Sequence, residues 1–173
     1  MKDALAIHRW LLAHQVHHEI VRLPRPITGA DELPETISAP PERCVAVTVL
    51  EATTRIGDAV IAVVSTVAAQ PRPGAVGGLL GVRKVRPATA FAVNSATDYA
   101  DGLVCPLLLP VQLQVLIDDR LQPDTEPIFT ATGERHTALS LRALDLLSLL
   151  SGKTVDLRIP RPRGSREAVA LRH

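Results

Sequence analysis

At 173 residues the chain is long enough to bury one ordinary core without disulfide or metal staples. Hydrophobic residues make up 46% of it and aromatic residues only 2%, so that core has to be built from Val, Leu, Ala and Ile; a disordered chain is excluded. The formal charge of +1 argues against a polybasic nucleic-acid arm, and no DNA partner is expected, although almost all the positive charge is arginine, with lysine only at Lys2, Lys84 and Lys153.

The first stretch, "MKDALAIHRWLLAH", spaces Leu5, Ile7, Leu11 and Leu12 for an amphipathic helix over 3–14. Its acid and histidines interrupt the apolar run that a signal peptide needs, so a cytoplasmic location is expected. "HQVHHEIVRLP" leads into a first strand. In "ITGADELPETI", Thr28 and Asp31 have capping-box spacing ahead of a short helix over 29–37. "CVAVTVL" and "AVIAVVSTVAA" are rich in β-branched residues and flank the turn signal Gly57-Asp58, which predicts a buried hairpin. "GAVGGLLGVRKVRPAT" predicts a glycine-loosened helix and a brief strand, and "ATAFAVNSATD" another helix. "QLQVLIDDRL" alternates as a strand does, "PIFTATGERHTALSL" predicts a second hairpin, and "SLRALDLLSLLSGKTVDL" a helix and a closing strand. In that helix Leu141, Leu144, Leu147 and Leu150 are expected on one face, with Ser140 as cap and Gly152 as stop.

Strands and helices mix without regular alternation, so the expected class is α+β: a mixed, partly barrel-like sheet surrounded by short helices. One domain is expected over 1–157, followed by a basic, proline-containing, mobile tail over 158–173. The longest apolar run, Leu103 to Ile117, is broken by Pro106, Pro110, Gln112 and Gln114 and falls short of the ~20 residues of a membrane span. No membrane contact is expected.

Several stretches invite a chemical reading. "GAVGGLLG" has neither GxGxxG spacing nor a following Lys-Ser or Lys-Thr, so it reads as a small-residue helix and not as a phosphate loop. His14, His17 and His18 are spaced as imidazoles sharing an ion are, but only Glu19 could join them. They read as a solvated or partner-facing cluster, and neither metal nor cofactor is expected. Cys44 and Cys105 cannot form a disulfide framework, and Cys105, between Val104 and Pro106, reads as a buried small hydrophobe and not as a nucleophile. Asp118 and Asp119 would point to opposite faces of a strand and cannot easily share a proton.

The order of "GADELPETI", "VAVTVLEA", "LLGVRKVRPAT", "TDYADGLVCPLLLP", "VLIDDRL", "TATGERHTALSL" and "RALDLLSLLSGKTVDL" resembles the YbaK and prolyl-tRNA synthetase editing-domain family over Thr28 to Leu157. The resemblance implies a trans-acting aminoacyl-tRNA deacylase, a hydrolase that cleaves the ester of a mischarged tRNA and so serves translation fidelity. The site it implies is a G-x-x-x-P loop, matched by Gly102, Leu103, Val104, Cys105 and Pro106, whose backbone amides would polarise the ester carbonyl. Gly102 and Pro106 are its fixed ends, since glycine permits positive φ and proline fixes the exit. Val47, Thr48, Tyr99, Asp118, Gly133 and His136 fall where the family lines its pocket, His136 as a substrate contact or an aid to proton transfer.

This sequence departs from the family pattern at two places. The family lysine before the threonine of "VAVTVL" is Val47 here, and the glycine of its "tGy" segment is Asp98, with Tyr99 kept. Arg55 or an arginine of the tail is expected to supply the missing cation. The alternative is an impaired relative that binds tRNA, an aminoacyl-nucleotide-like ligand or a protein partner; a homodimer stays open.

Overall fold

A computed structural model describes residues 1–158. The expected mobility of the tail from residue 159 onward lies outside the described residues. In chain order the elements are α1 (Ala4–Ala13), β1 (Glu19–Arg22), α2 (Leu33–Ile37), β2 (Cys44–Thr54), β3 (Gly57–Thr66), α3 (Pro73–Leu80), β4 (Lys84–Pro87), α4 (Ala90–Thr97), β5 (Gln114–Asp118), β6 (Pro127–Ala131), β7 (Thr137–Arg142), α5 (Ala143–Leu149) and β8 (Lys153–Val155). The class is α+β, as expected. The strands form one mixed 8-stranded sheet in the order β1-β7-β6-β2-β3-β5-β8, with β4 also on β2; its ends do not meet, so the sheet curves without closing.

The β-branched run of β2 makes it the strand on which the sheet is organised. β3 pairs with it antiparallel from Val45↔Thr66 to Thr54↔Gly57. Its other edge is shared: Cys44 and Val45 pair in parallel with Phe129 and Thr130 of β6, whereas Leu50 to Thr53 pair antiparallel with β4. Between these two partners β2 forks at Ala46 to Val49, where the Val49 carbonyl is taken by the Ala88 N–H. The period of two then sorts its side chains. Val45 and Val49 join the main core with Ile7, Leu11, Tyr99, Val104, Cys105 and Leu139, and Val47 packs against it. Ala46 lies in a smaller cluster with Leu33, Leu103, Ala131 and Ala138, and Leu50 and Ala52 join Val63 and Val76 under α3.

Four local expectations are corrected. The cap near Thr28 uses Glu32, not Asp31: the Glu32 carboxylate accepts from the Thr28 N–H and hydroxyl and from the Gly29 N–H. Ser140 belongs to β7, and α5 starts at Ala143 after the N-cap residue Arg142, whose guanidinium holds Asp145 at 2.9 Å. Leu141 is buried on β7 and Leu146 on α5, whereas Leu144 is 41% exposed; a strand ending directly in a helix breaks any single stripe across both.

Gly152 does not stop α5, which ends at Leu149. It lies where β8 meets β5, and a Cβ there would stand 2.7 Å from the Val115 carbonyl oxygen and 3.1 Å from the Val115 side chain. Gly152→Ala is therefore expected to cost about 1–3 kcal/mol in denaturant unfolding, as overpacking does. Gly78, in α3 with open space around it, gives the opposite sign: Gly78→Ala should stabilise by about 0.5–1 kcal/mol.

Candidate functional site: the Gly102–Pro106 loop and its basic rim

Gly102 lies at φ +78, and a Cβ on it would stand 2.5 Å from the Thr28 carbonyl oxygen. Only glycine fits this turn without strain. The contact is locked by the Ala30 N–H, which donates to the Gly102 carbonyl at 3.0 Å. From there the loop runs between two clusters: Leu103 enters the smaller one beside Ala46, and Val104 and Cys105 enter the main core. Pro106 is buried at the exit. Leu103 spends its N–H on the Ala100 carbonyl at 3.0 Å. Among the described residues, the N–H groups of Gly102, Val104 and Cys105 have no protein acceptor. Unpaired donors at a buried turn carry a cost that an incoming oxygen removes.

The segments flanking the loop are tied down by a residue far away in sequence. Lys2 donates from its ammonium to the Thr97 carbonyl at 3.0 Å and to the Leu108 carbonyl, and it lies 5.2 Å from the centre of the Tyr99 ring. Burial holds its pKa below the ordinary lysine value. The Tyr99 hydroxyl donates to the Leu107 carbonyl at 2.7 Å. Gly133, at φ +93, closes the other side: a Cβ there would stand 2.5 Å from the Lys2 carbonyl oxygen and 2.9 Å from the Tyr99 ring. Asp98, where the sequence reading expects the family glycine, adopts φ 60 as the left-handed cap of α4. Aspartate tolerates that conformation, which explains why glycine is dispensable there.

The structure thus brings Tyr99, Gly102, Leu103, Val104, Cys105, Pro106 and Gly133 together. Val47 packs against the same core, and Thr48 lies on the opposite face of β2. Asp118 does not join them: it is 2% exposed on β5, which pairs with β3 and not with β2, and its carboxylate is held by Arg120 at 2.7 Å. The ring of His136 is exposed; its carbonyl accepts the Leu23 N–H at 2.8 Å. His136 lines a groove with Arg22, Leu23, Pro24, Arg25 and Pro26, beside the Thr28–Ala30 seat of the loop. A second cavity of about 290 Å³ has apolar walls that include Ile128 and Leu146 and two arginines at its edge, Arg43 and Arg120, each bound to an aspartate.

The model of the aminoacyl-tRNA editing domain matches residues 24–149. The chain belongs to the aminoacyl-tRNA editing-domain family. A search among curated proteins gave no match. Among solved structures, the hypothetical protein APE2540 superposes with a TM-score of 0.71 at 20% identity, covering 87% of this chain and 97% of that one. A scaffold protein used for computational epitope grafting gives 0.68 at 20% identity, covering 88% and 95%. A candidate trans-editing enzyme for prolyl tRNA synthetase gives 0.65 at 22% identity, covering 83% and 87%. At these identities the likeness concerns the fold.

Two details of this editing domain differ from what its sequence suggests. Arg55 stands at the tip of the β2–β3 hairpin, seven residues beyond Thr48, which is roughly 23 Å along a strand and too far to serve the loop. Of the tail arginines only Arg158 is described, and it pairs with Asp156 and Asp119. Beneath the loop the cation is Lys2, whose ammonium acts on Cys105, and on the side of its Thr28–Ala30 seat stand Arg22, Arg25 and Arg135, brought there from β1, its outgoing arch and the β6–β7 turn.

Burial pushes the Cys105 thiol from 9.0 up to about 12, outweighing the Leu107 amide, the Tyr99 hydroxyl and the Lys2 ammonium, which act the other way. Burial likewise raises Cys44 to about 11. A raised folded-state pKa contributes stability that is complete below the unfolded value near 9 and lost as pH rises toward 12. Thermal unfolding followed from pH 8 to 11 should show Tm falling above pH 9, with a shallower fall in Cys105→Ala. In the native protein at pH 7.5 neither thiol should react with a chromogenic disulfide reagent.

Proposed function

We propose that this editing domain is a trans-acting deacylase for mischarged tRNA, with the backbone of the Gly102–Pro106 loop as its catalytic element. The observation that carries this reading is the buried loop whose Val104 and Cys105 amides have no internal acceptor. Aimed at the ester carbonyl, such donors stabilise the negative charge that develops as the oxygen of water attacks the acyl carbon. The bond from that carbon to the ribose oxygen then breaks, the ribose oxygen takes a proton, and free amino acid and intact tRNA leave. No side-chain nucleophile is needed, and Cys105, protonated and enclosed, is unsuited to be one. In this reading the neighbouring hydroxyl of the terminal ribose, or His136, relays the proton. Tyr99, Leu103 and Gly133 shape the wall that the aminoacyl group meets, so their sizes set which amino acid is accepted.

The reading that competes with this one is a non-catalytic relative, favoured by Val47: an aliphatic side chain packed on the core offers no cation at the place where the family carries lysine. Release of amino acid from a panel of mischarged tRNAs separates the two. Turnover of at least one substrate is expected, with Cys105→Ser close to wild type. Gly102→Ala, which forces the turn off Thr28, should lower kcat/KM by about 100-fold or more, as loss of an oxyanion donor does. No turnover of any tRNA by a folded protein sinks the hydrolase; full activity in Gly102→Ala sinks the loop mechanism alone.

A further inference from the structure

We propose that the groove lined by Arg22, Arg25 and His136, with Arg135 tied beside it through Ile27, binds the phosphates of the single-stranded 3′-terminal nucleotides of tRNA; this rests on the deacylase reading and names how that substrate is held. The groove follows from a ladder. Arg22 pairs with Thr137 across β1 and β7, the Leu23 N–H donates to the His136 carbonyl, and the Ile27 N–H donates to the Arg135 carbonyl at 2.9 Å. Residues 24–26 arch out between these bonds, and Pro24 and Pro26 stiffen the arch around Arg25. Arg135 uses its Nε on the Ile27 carbonyl at 3.4 Å, which orients the guanidinium while its two terminal nitrogens have no partner among the described residues.

The charges are available as well as clustered. Arg43, Arg86, Arg120, Arg142 and Arg158 each hold a carboxylate within 4.0 Å, and Arg22, Arg25 and Arg135 hold none among the described residues. Two acids near the groove have hydrogen-bond partners of their own: Glu32 accepts from the amides of Thr28 and Gly29, with Arg25 close enough to act on its charge, and Glu134 accepts from the Thr137 hydroxyl. Free guanidinium forks match phosphate oxygens in geometry and charge. The position also suits the purpose. Arg25 is five residues from Ala30, whose N–H holds Gly102, so the groove starts within about 18 Å of the loop even along a fully extended chain. The ester is at the extreme 3′ end of its tRNA, so the phosphates just upstream must pass close to whatever lies beside the loop. Val47 leaves the middle of β2 without a cation and Lys2 is committed beneath the loop, so these arginines are the positive charge beside its Thr28–Ala30 seat. The groove contains no Phe, Tyr or Trp to stack bases, which favours backbone contacts indifferent to base identity over sequence readout.

The test uses the full chain and its triple variant Arg22→Gln/Arg25→Gln/Arg135→Gln, three exposed substitutions whose folding is checked by thermal unfolding. Binding of an uncharged tRNA, and of the same tRNA lacking its last three nucleotides, is measured by fluorescence anisotropy over a NaCl series. The wild type should prefer the intact tRNA. In the triple variant that preference should vanish, and the slope of log K against log salt should shrink by about 2, since each single-strand phosphate contact contributes about 0.7. KM for deacylation should rise in parallel. Unchanged affinity and salt slope in the variant, with wild type active, overturn the groove and leave the deacylase standing. An equal loss on both tRNAs, or equally tight binding of polyglutamate by the wild type, overturns the 3′-terminal assignment. If the wild type neither binds nor deacylates any tRNA, the deacylase reading fails first and the groove with it.

Discussion

The hydrogen bond from the Ala30 N–H to the Gly102 carbonyl, with the Gly102 α-carbon pressed onto Thr28, is the contact on which the site depends. It joins the loop after α4 to the segment before α2, and so connects the two clusters that meet at the fork of β2. The turn is held from outside at Gly102, by the Leu103 N–H on the Ala100 carbonyl, and from beneath by Lys2 at Thr97 and Leu108, so the Val104 and Cys105 amides are fixed without using their own donors. In the proposed mechanism this anchoring is what would preorganise the free Val104 and Cys105 donors toward an incoming oxygen.

A forked β2 makes room for this arrangement. Two partners share one edge of it, each covering only an end, so Ala46 to Thr48 keep a strand neighbour on the β3 side alone. Sheets usually avoid such gaps or cover them. Beside this gap Leu103 of the loop shares a cluster with Ala46, which ties the packing of the core to the geometry of the loop.

Electrostatics divides the arginines into two populations. Those bound to carboxylates secure chain turns, as Arg43 does with Asp124 and Arg120 with Asp118. Those without carboxylates include the three that gather where β1, its outgoing arch and the β6–β7 turn converge. A formal charge of +1 over 173 residues conceals this local excess, because net charge averages over faces that a ligand never meets together.

The sequence by itself determined the elements whose signals are local. The β-branched runs of β2 and β3 with Gly57 between them, the helical spacing of Ile7 and Leu11, and the Gly102–Pro106 pattern all specify backbone conformation within a few residues. Signals at element junctions misled: Ser140 and the leucine stripe around it were legible as one helix only because a strand-to-helix join has no marker of its own. Tertiary structure alone decided which side chains share a space. Lys2 under Tyr99, Gly133 against the same ring, Gly152 against Val115, and Arg135 tied to Ile27 beside Arg22 and Arg25 are each contacts between segments distant in the chain. Sequence spacing fixes the direction a side chain takes from its own element, but the packing of whole elements fixes what it meets there.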